Sequence, residues 1–307
     1  VLFYLSLGTS GALPLWLLEG GGLSFTDAIF ESLSGLTTTG ATVMTGLDDL
    51  PRSILFYRQF LQWLGGMGII VLAVAILPML GIGGMQLYRA ESPGPVKDAK
   101  LKPRITETAK ALWYIYVGIT VLCAISYNAA GMELFDAICH SFSTVAIGGF
   151  STHDASIGYF DNQNIEMVAV IFMIIAAINF GLHFAAVSRR RPGYYFRDWE
   201  VRTLIGTLIL VASLVCLILY RNPDTSDHPF REGIFQAVSI ATTTGFTTAN
   251  FSLWPSVATS RNMPPLVILT WPPVAACWAH IAQTSLRFIS ARACLPKNVQ
   301  PENKKQS

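Results

Sequence analysis

Three stretches of the sequence repeat one pattern of residue types without a gap. Residues 27–42, 136–151 and 232–247 each open with an acidic residue, carry a serine seven positions later and a glycine thirteen positions later. Glycine tolerates a positive φ, which lets successive carbonyls point the same way, and a ring of carbonyls can replace the hydration shell of a cation. The repeat therefore predicts a shared cation-coordinating centre around its glycines, which are Gly40, Gly149 and Gly245.

The residues before these glycines are the candidate ligands. We expect them to present backbone carbonyls to the ion, or hydroxyls where they are threonine. They are Thr37, Thr38 and Thr39 in the first copy, Val145, Ala146, Ile147 and Gly148 in the second, and Thr242, Thr243 and Thr244 in the third. A single Thr/Gly-rich turn is as often an ordinary loop. Three turns in register favour the ligand interpretation.

Each copy is too short to cross a bilayer, because only about ten apolar or small residues precede its turn. This length predicts a half-helix that enters the membrane and returns. Irregular backbone at membrane depth is tolerated where it is buried in protein or lines a watery cavity, and the negative C-terminal end of the half-helix favours a cation there. We assign the opening acids, Asp27, Asp136 and Glu232, to capping the N-terminal ends; Ser24 and Pro229 also stand at typical helix starts.

The composition is that of a membrane protein. Of the 307 residues, 52% are apolar and 13% are charged, whereas a soluble domain carries about 25% charged residues. A net charge of +2 argues against a nucleic-acid partner. The five cysteines show no CxxC spacing, so we interpret them as packing residues.

Intervals free of Asp, Glu, Lys and Arg predict the membrane spans. They are residues 1–18, 59–88, 111–132, 167–188 and 203–220, and a sixth interval, 262–286, contains four prolines. Basic residues concentrate in 89–110 and 189–202, which predicts that these segments are cytoplasmic. Residues 128–164 hold no Lys or Arg and are predicted to face outside.

Two further stretches join the repeated turns in resembling a known family. They are LQWLGGMGIIVLAVAILPMLGIGGMQLYRAE at 61–91 and SFSTVAIGGFSTHDASIGYFDNQNIE at 141–166. Together the motifs resemble the bacterial TrkH family of the Trk/Ktr/HKT cation transporter superfamily, over the chain up to about residue 255. The resemblance implies an all-α polytopic membrane protein whose helix, pore-loop, helix units, as in potassium channels, surround a pseudo-fourfold axis. It also implies potassium uptake and no enzymatic activity, with Gly40, Gly149 and Gly245 as filter glycines.

The resemblance extends to setting and partners. It implies a multi-pass protein of the bacterial inner membrane, in contact with lipid, that transports potassium without a cofactor and forms a homodimer. A cytosolic nucleotide-binding ring of the TrkA type is implied as partner. Residues 189–200 are a candidate docking segment for it, with topology and attraction to anionic lipid as the equal alternative. Channel-like permeation and ion-coupled symport both stay open.

The predicted organisation ends with an atypical tail. The units are 1–88 (first repeat), 89–110 (linker), 111–188 (second repeat), 189–202 (linker), 203–254 (helix and pore loop of the third repeat) and 255–307 (tail). Residues 246–307 contain no glycine and seven of the sixteen prolines. We therefore expect a changed reading frame shortly after Trp254. The resemblance implies a fourth unit and helices ahead of residue 1, so we expect these to be missing and transport to be reduced or absent.

Alternative interpretations remain for several features. The protein could be a non-conducting remnant of such a transporter, or, remotely, a membrane-embedded hydrolase that uses His140 and Ser141. The remaining features are glycines and polar residues inside predicted spans. We expect Gly65, Gly66 and Gly68 to serve helix packing rather than conduction, and His183, with Asn179 nearby, to be hydrogen-bonded to a neighbour rather than to serve function directly.

Overall fold

The structure is a computed structural model that describes residues 2–17, 23–71, 98–188, 193–222, 226, 228–249 and 254. Predictions for the span 262–286, the tail 255–307 and the reading frame lie outside the described residues. All the regular elements in the described ranges are helical, which confirms the predicted all-α class. The α-helices are α1 (Leu2–Gly11), α2 (Leu13–Trp16), α3 (Phe25–Leu36), α4 (Arg52–Val71), α5 (Asp98–Ala129), α6 (Leu134–Val145), α7 (Gln163–Ala177), α8 (Phe180–Ser188), α9 (Gly193–Arg197), α10 (Trp199–Tyr220) and α11 (Pro229–Ala241).

Two helices in the described part of the chain are long and apolar enough to cross a membrane unbroken. They are Ala109–Ala129 within α5, and α10. Both helices begin earlier than the charge-free intervals, at Asp98 and Trp199. Charged residues end such an interval without ending a helix, because Lys, Arg and Glu are good helix formers. At α10 the start is set by Asp198, whose carboxylate accepts the N–H groups of Glu200 and Val201 at 2.9 and 3.2 Å.

The charge-free interval at 167–188 is not one straight helix, because α7 and α8 meet there at a bend of 87°, as a broken span or a re-entrant pair. Asn179 stabilises the bend, since its side-chain oxygen accepts the N–H of Gly181 at 2.8 Å. His183 hydrogen-bonds the carbonyl of Ile175 at 3.0 Å and the hydroxyl of Tyr195 at 2.9 Å. Both polar side chains are thus hydrogen-bonded to neighbours around the break, as expected for His183.

Helix α4 packs against the C-terminal ends of both α3 and α6. A Cβ added to Gly65 would lie 1.9 Å from the carbonyl oxygen of Leu36, at the end of α3. A Cβ added to Gly66 would lie 3.0 Å from the Cβ of Ala146, just after α6. These glycines allow the close approach, which supports the packing interpretation. As a result α4 passes directly behind the turns of the first two copies.

Candidate ion-coordination site

The three short helices α3, α6 and α11 carry the repeated pattern. In α3 the N-cap Ser24 accepts the N–H of Asp27 at 3.2 Å, as the capping-box spacing predicts. The Ser24 hydroxyl also donates to the carboxylate of Asp27 at 2.8 Å. Helix α11 begins with Pro229, as expected, and its Glu232 accepts the hydroxyl of Ser226 at 2.8 Å. Both acids lie in the first turn, where the positive end of the helix dipole favours them.

Each short helix ends in the same Schellman-type turn. The N–H of Thr39, Gly148 and Thr244 reaches the carbonyl of the repeat serine, Ser34, Ser143 and Ser239 respectively, at 2.9 Å in every copy. The residue before each of these donors has a left-handed backbone. These residues are Thr38 (φ 54°), Ile147 (φ 54°) and Thr243 (φ 63°). A β-branched residue in this conformation is strained, and such strain concentrates at functional sites. The sequence had indicated positive φ only at the glycines.

The three repeat glycines lie side by side, in chain order. Their φ values are +73° at Gly40, +77° at Gly149 and +88° at Gly245, all left-handed. A Cβ on Gly40 would lie 2.0 Å from the carbonyl oxygen of Gly148, and a Cβ on Gly149 would lie 2.0 Å from that of Thr244. The segments therefore meet backbone against backbone, and at these contacts neither the conformation nor the space admits a side chain.

The structure bears on two of the candidate ligands, Val145 and the threonine hydroxyls. Val145 is the last residue of α6 and is buried, so it belongs to the helix rather than to the turn. The threonine hydroxyls are engaged within their own segments: Thr37 donates to the Leu33 carbonyl at 2.7 Å, and its oxygen is 2.8 Å from that of Thr39. Because a hydroxyl has one proton, Thr39 donates to Thr37. Thr242 and Thr244 repeat the arrangement at 2.8 Å. The backbone carbonyls are thus the better candidate ligands.

A buried ion pair lies behind the first segment and was missed by sequence reasoning. Glu31 on α3 and Arg58 on α4 are 0% and 1% exposed, with Nε of Arg58 2.9 Å from the carboxylate. The same carboxylate accepts the hydroxyl of Thr42 at 2.8 Å and the N–H of Val43 at 3.1 Å. Arg58 also donates to the carbonyl of Ser151 at 3.4 Å. The pair therefore holds the chain that leaves the first segment and contacts the chain that leaves the second.

Asp136 lies in the first turn of α6, as predicted, and its carboxylate also contacts the loop after the second segment. It accepts the hydroxyl of Thr152 at 2.8 Å and lies 3.5 Å from Nε2 of His153, so it binds the loop that follows the second segment. The other ring nitrogen of His153 contacts Asp48, which belongs to the first repeat, 1–88. Burial lowers the pKa of His153, but the hydrogen bonds and charges of Asp136 and Asp48 outweigh burial and raise the pKa above its ordinary value. His153 thus connects the loop after the second segment to the first repeat.

The structure does not pair His140 with Ser141, the two residues of the hydrolase alternative. Nε2 of His140 lies 2.9 Å from the hydroxyl oxygen of Ser151, whereas the hydroxyl of Ser141 donates to the carbonyl of Ile138 at 2.7 Å. His140 therefore cannot activate Ser141 in this arrangement. Within the described ranges there is no group of three or more His, Cys, Asp or Glu side chains able to hold a metal ion. Cys123, Cys139 and Cys216 are buried and free there, in keeping with a packing role.

The family model and two sequence relatives that match this chain are all Trk cation transport proteins. The sequence model of the family described as "TrkH: Cation transport protein" matches residues 1–261. The chain is 60% identical to the Trk system potassium uptake protein TrkH of Vibrio parahaemolyticus over 260 residues, which are 83% of this chain and 53% of that protein. It is 44% identical to the Trk system potassium uptake protein TrkG of Escherichia coli K12 over 261 residues, again 83% of this chain and 53% of the relative.

A solved structure agrees with the sequence relatives. The crystal structure of the potassium transporter TrkH from Vibrio parahaemolyticus matches with a TM-score of 0.75 and 52% identity, over 88% of this chain and 54% of that chain. The chain therefore spans about half the length of the curated relatives that it matches.

Proposed function

Because the chain belongs to the TrkH family of cation transport proteins, we propose that its three convergent segments form part of a filter through which potassium ions enter the cell. The observation that carries the proposal is the direct contact of Gly40 with Gly148, and of Gly149 with Thr244. Three sequence-separated turns with the same left-handed glycines meet at one place, as a shared ion pathway requires. The relatives named above are potassium uptake proteins, which makes potassium the proposed substrate.

The mechanism needs no covalent chemistry. The carbonyls of Thr37–Gly40, Ala146–Gly149 and Thr242–Gly245 replace water around the ion, and the half-helices α3, α6 and α11 direct their negative C-terminal ends toward it. An inside-negative membrane potential then supplies about 2.3 kcal/mol per charge at 100 mV for inward movement. Potassium is the substrate rather than a cofactor.

The proposal also places the protein in the bacterial inner membrane, as a homodimer that contacts a cytosolic nucleotide-binding ring of the TrkA type. The segment around α9 supports a contact on the basic, predicted cytoplasmic side. Phe196 and Trp199 are 82% and 69% exposed there, beside Arg197. Aromatic residues and arginine are enriched in protein interfaces. Loss of co-purification with the ring after Phe196→Ser and Trp199→Ser would support this contact, and unchanged co-purification would contradict it.

Two measurements test the central proposal. Rubidium uptake is followed in cells that lack other potassium uptake systems, and the purified chain is heated in potassium or in sodium, since an ion that binds the folded state raises its midpoint. The proposal is supported if cells with this chain take up more rubidium than cells with the empty vector, and if potassium raises the thermal midpoint more than sodium does. A potassium increment without uptake would identify a binding but non-conducting chain. Membrane accumulation with neither effect would refute the filter.

A further inference from the structure

Gln62, on α4 of the first repeat, contacts the candidate ion-coordination segment of the second copy. The side chain projects from α4 and is fully buried, at 0% exposure. Its Nε2 donates to the carbonyl oxygen of Gly148 at 2.8 Å. Its Oε1 accepts the hydroxyl of Ser143 at 2.8 Å and the N–H of Phe150 at 3.2 Å. Because a backbone N–H can only donate, the Phe150 contact fixes which end of the amide faces Gly148.

In the other two copies the hydroxyl of the repeat serine bonds within its own segment, with no side chain from another helix. In them the repeat serine, Ser34 or Ser239, donates directly to the carbonyl of the residue after the filter glycine, which is Ala41 or Phe246. In the second copy Ser143 donates to Gln62 instead. The repeat serine of the second segment therefore bonds a side chain of the first repeat, whereas the repeat serines of the first and third segments bond within their own segments.

Gly148 leaves the space that Gln62 occupies. It stands at the register position of Thr39 and Thr244, yet it has no threonine side chain to hold its segment. A Cβ added to Gly148 would lie 2.4 Å from Cδ of Gln62 and 2.5 Å from its Oε1. The amide of Gln62 thus fills the volume that the threonine side chains fill in the other copies. The glycine at this position is explained by the incoming side chain, and no positive φ at Gly148 is needed to account for it.

We propose that Gln62 is a positioning residue for ion preference: it sets the location of the Gly148 carbonyl and thereby the contribution of the second segment to the filter. This inference rests on the proposed function. A buried backbone carbonyl that is bound at 2.8 Å cannot shift freely when the ion is exchanged. A rigid contributor favours one ion size over another, so Gln62 should affect the preference between ions more than the amount of folded protein.

The structure offers a matched control on the same helix. Gln59 lies one turn earlier on α4 and is also 0% exposed, and its amide has no hydrogen-bond partner among the described residues. Gln62→Met and Gln59→Met change the same residue type to one of similar length. The purified full chain with either substitution is titrated with potassium and with sodium, using the thermal midpoint as readout. The ratio of the two half-saturating concentrations measures the ion preference.

We expect Gln62→Met to lower the preference for potassium by about fivefold, while Gln59→Met leaves it unchanged. Gln62→Met removes three hydrogen bonds, and the fivefold change is the effect of the one that holds the Gly148 carbonyl. Gly148→Ala displaces the same amide from the opposite side and should lower the preference by a similar factor. An unchanged preference in Gln62→Met, or an equal loss in Gln59→Met, would overturn the inference alone. The absence of any potassium increment in the unsubstituted chain would instead overturn the proposed function, and the inference with it.

A second measurement keeps the test independent of ion binding. Ser143→Ala removes the hydroxyl that donates to Gln62, so its effect on the thermal midpoint should shrink in a Gln62→Met background. The same substitution should be additive with Gln59→Met, because the Gln59 amide has no hydrogen-bond partner among the described residues and so makes no hydrogen bond to Ser143. Additivity in both backgrounds would show that the amide does not hold the second segment.

Discussion

The contacts of the four positive-φ glycines Gly40, Gly149, Gly245 and Gly46 predict how much each alanine substitution costs. All four have φ between +72° and +88°. A Cβ at Gly40 or Gly149 would meet a carbonyl oxygen at 2.0 Å, whereas no described atom lies within 4 Å of one at Gly245 or Gly46. The left-handed conformation alone costs alanine about 1–2 kcal/mol. Real Cβ contacts stay beyond 3.0 Å, so at Gly40 and Gly149 the neighbouring backbone must also move by about 1 Å, which adds about 1–3 kcal/mol by analogy with overpacked cores.

We therefore expect Gly40→Ala and Gly149→Ala to lower the thermal midpoint of the purified chain about twice as far as Gly245→Ala and Gly46→Ala do. Gly46 lies outside the filter, so its variant also separates strain from function. Gly245→Ala and Gly46→Ala should match in stability, but only the former should reduce the larger midpoint increment that potassium gives over sodium. Equal midpoints for all four variants, or an unchanged ion preference in Gly245→Ala, would refute the reasoning from convergent carbonyls.

Further predictions concern the charged contacts around the site. Arg58→Met should destabilise the chain by about 3–5 kcal/mol because it strands the fully buried carboxylate of Glu31, and adding Glu31→Gln should restore most of the thermal midpoint. Arg52→Met should cost less than about 1 kcal/mol, because its ion pair is more than half exposed, and an equal loss in the two single variants would contradict this ranking. The raised pKa of His153 means that its contribution to stability is complete below the ordinary value of 6.5 and is lost as the pH rises through the raised pKa. Midpoints measured from pH 6 to pH 9 should therefore fall by the equivalent of about 0.5–1 kcal/mol more in the unsubstituted chain than in Asp48→Asn, and parallel curves would exclude the contact.

The sequence predicted the parts of the fold that periodicity and composition control. The gap-free repeat located the three turns and their glycines, because the backbone conformation there depends on residue type within one short segment. It could not predict the bend between α7 and α8, since an apolar stretch reads the same whether straight or broken. The local signals of the break were Asn179, Gly181 and His183, and none of them by itself distinguishes a bend from a straight helix.

The cross-copy contacts were beyond sequence reasoning for a different reason. Gln62 lies 81 residues before Ser143 along the chain, and Arg58 lies 93 before Ser151. No local pattern reports that separation, because the pairing is set by how α4 packs between α3 and α6. The available signals were weak: a glutamine within an apolar stretch, and a second glycine in the second copy where the other two copies have threonine.

The three copies share a backbone conformation but carry different side chains at the position four residues after each opening acid. It holds Glu31, His140 and Gln236, all almost fully buried. Glu31 accepts the hydroxyl of Thr42, and His140 hydrogen-bonds that of Ser151; both partners stand two residues beyond the filter glycine. The helix is thus hydrogen-bonded to the chain that leaves the repeated turn, by a carboxylate in one copy and by a histidine in the next. The amide of Gln236 has no hydrogen-bond partner within the part of the chain that the structure describes.

The hydrogen bonds that hold the three segments differ in strength, which affects how the proposed filter would select ions. The three segments share their left-handed glycines and their helix-terminal hydrogen bonds, so their backbones are nearly equivalent. Their supports differ in strength, because hydrogen bonds to charged groups contribute about 1.5–3 kcal/mol and neutral ones about 1 kcal/mol. A segment held by the Glu31–Arg58 pair therefore resists displacement more than one held by neutral groups alone. In the second segment Gln62 holds the Gly148 carbonyl, which lies within the repeated turn itself, by a neutral hydrogen bond, so a single substitution of Gln62 should change the ion preference of the proposed filter.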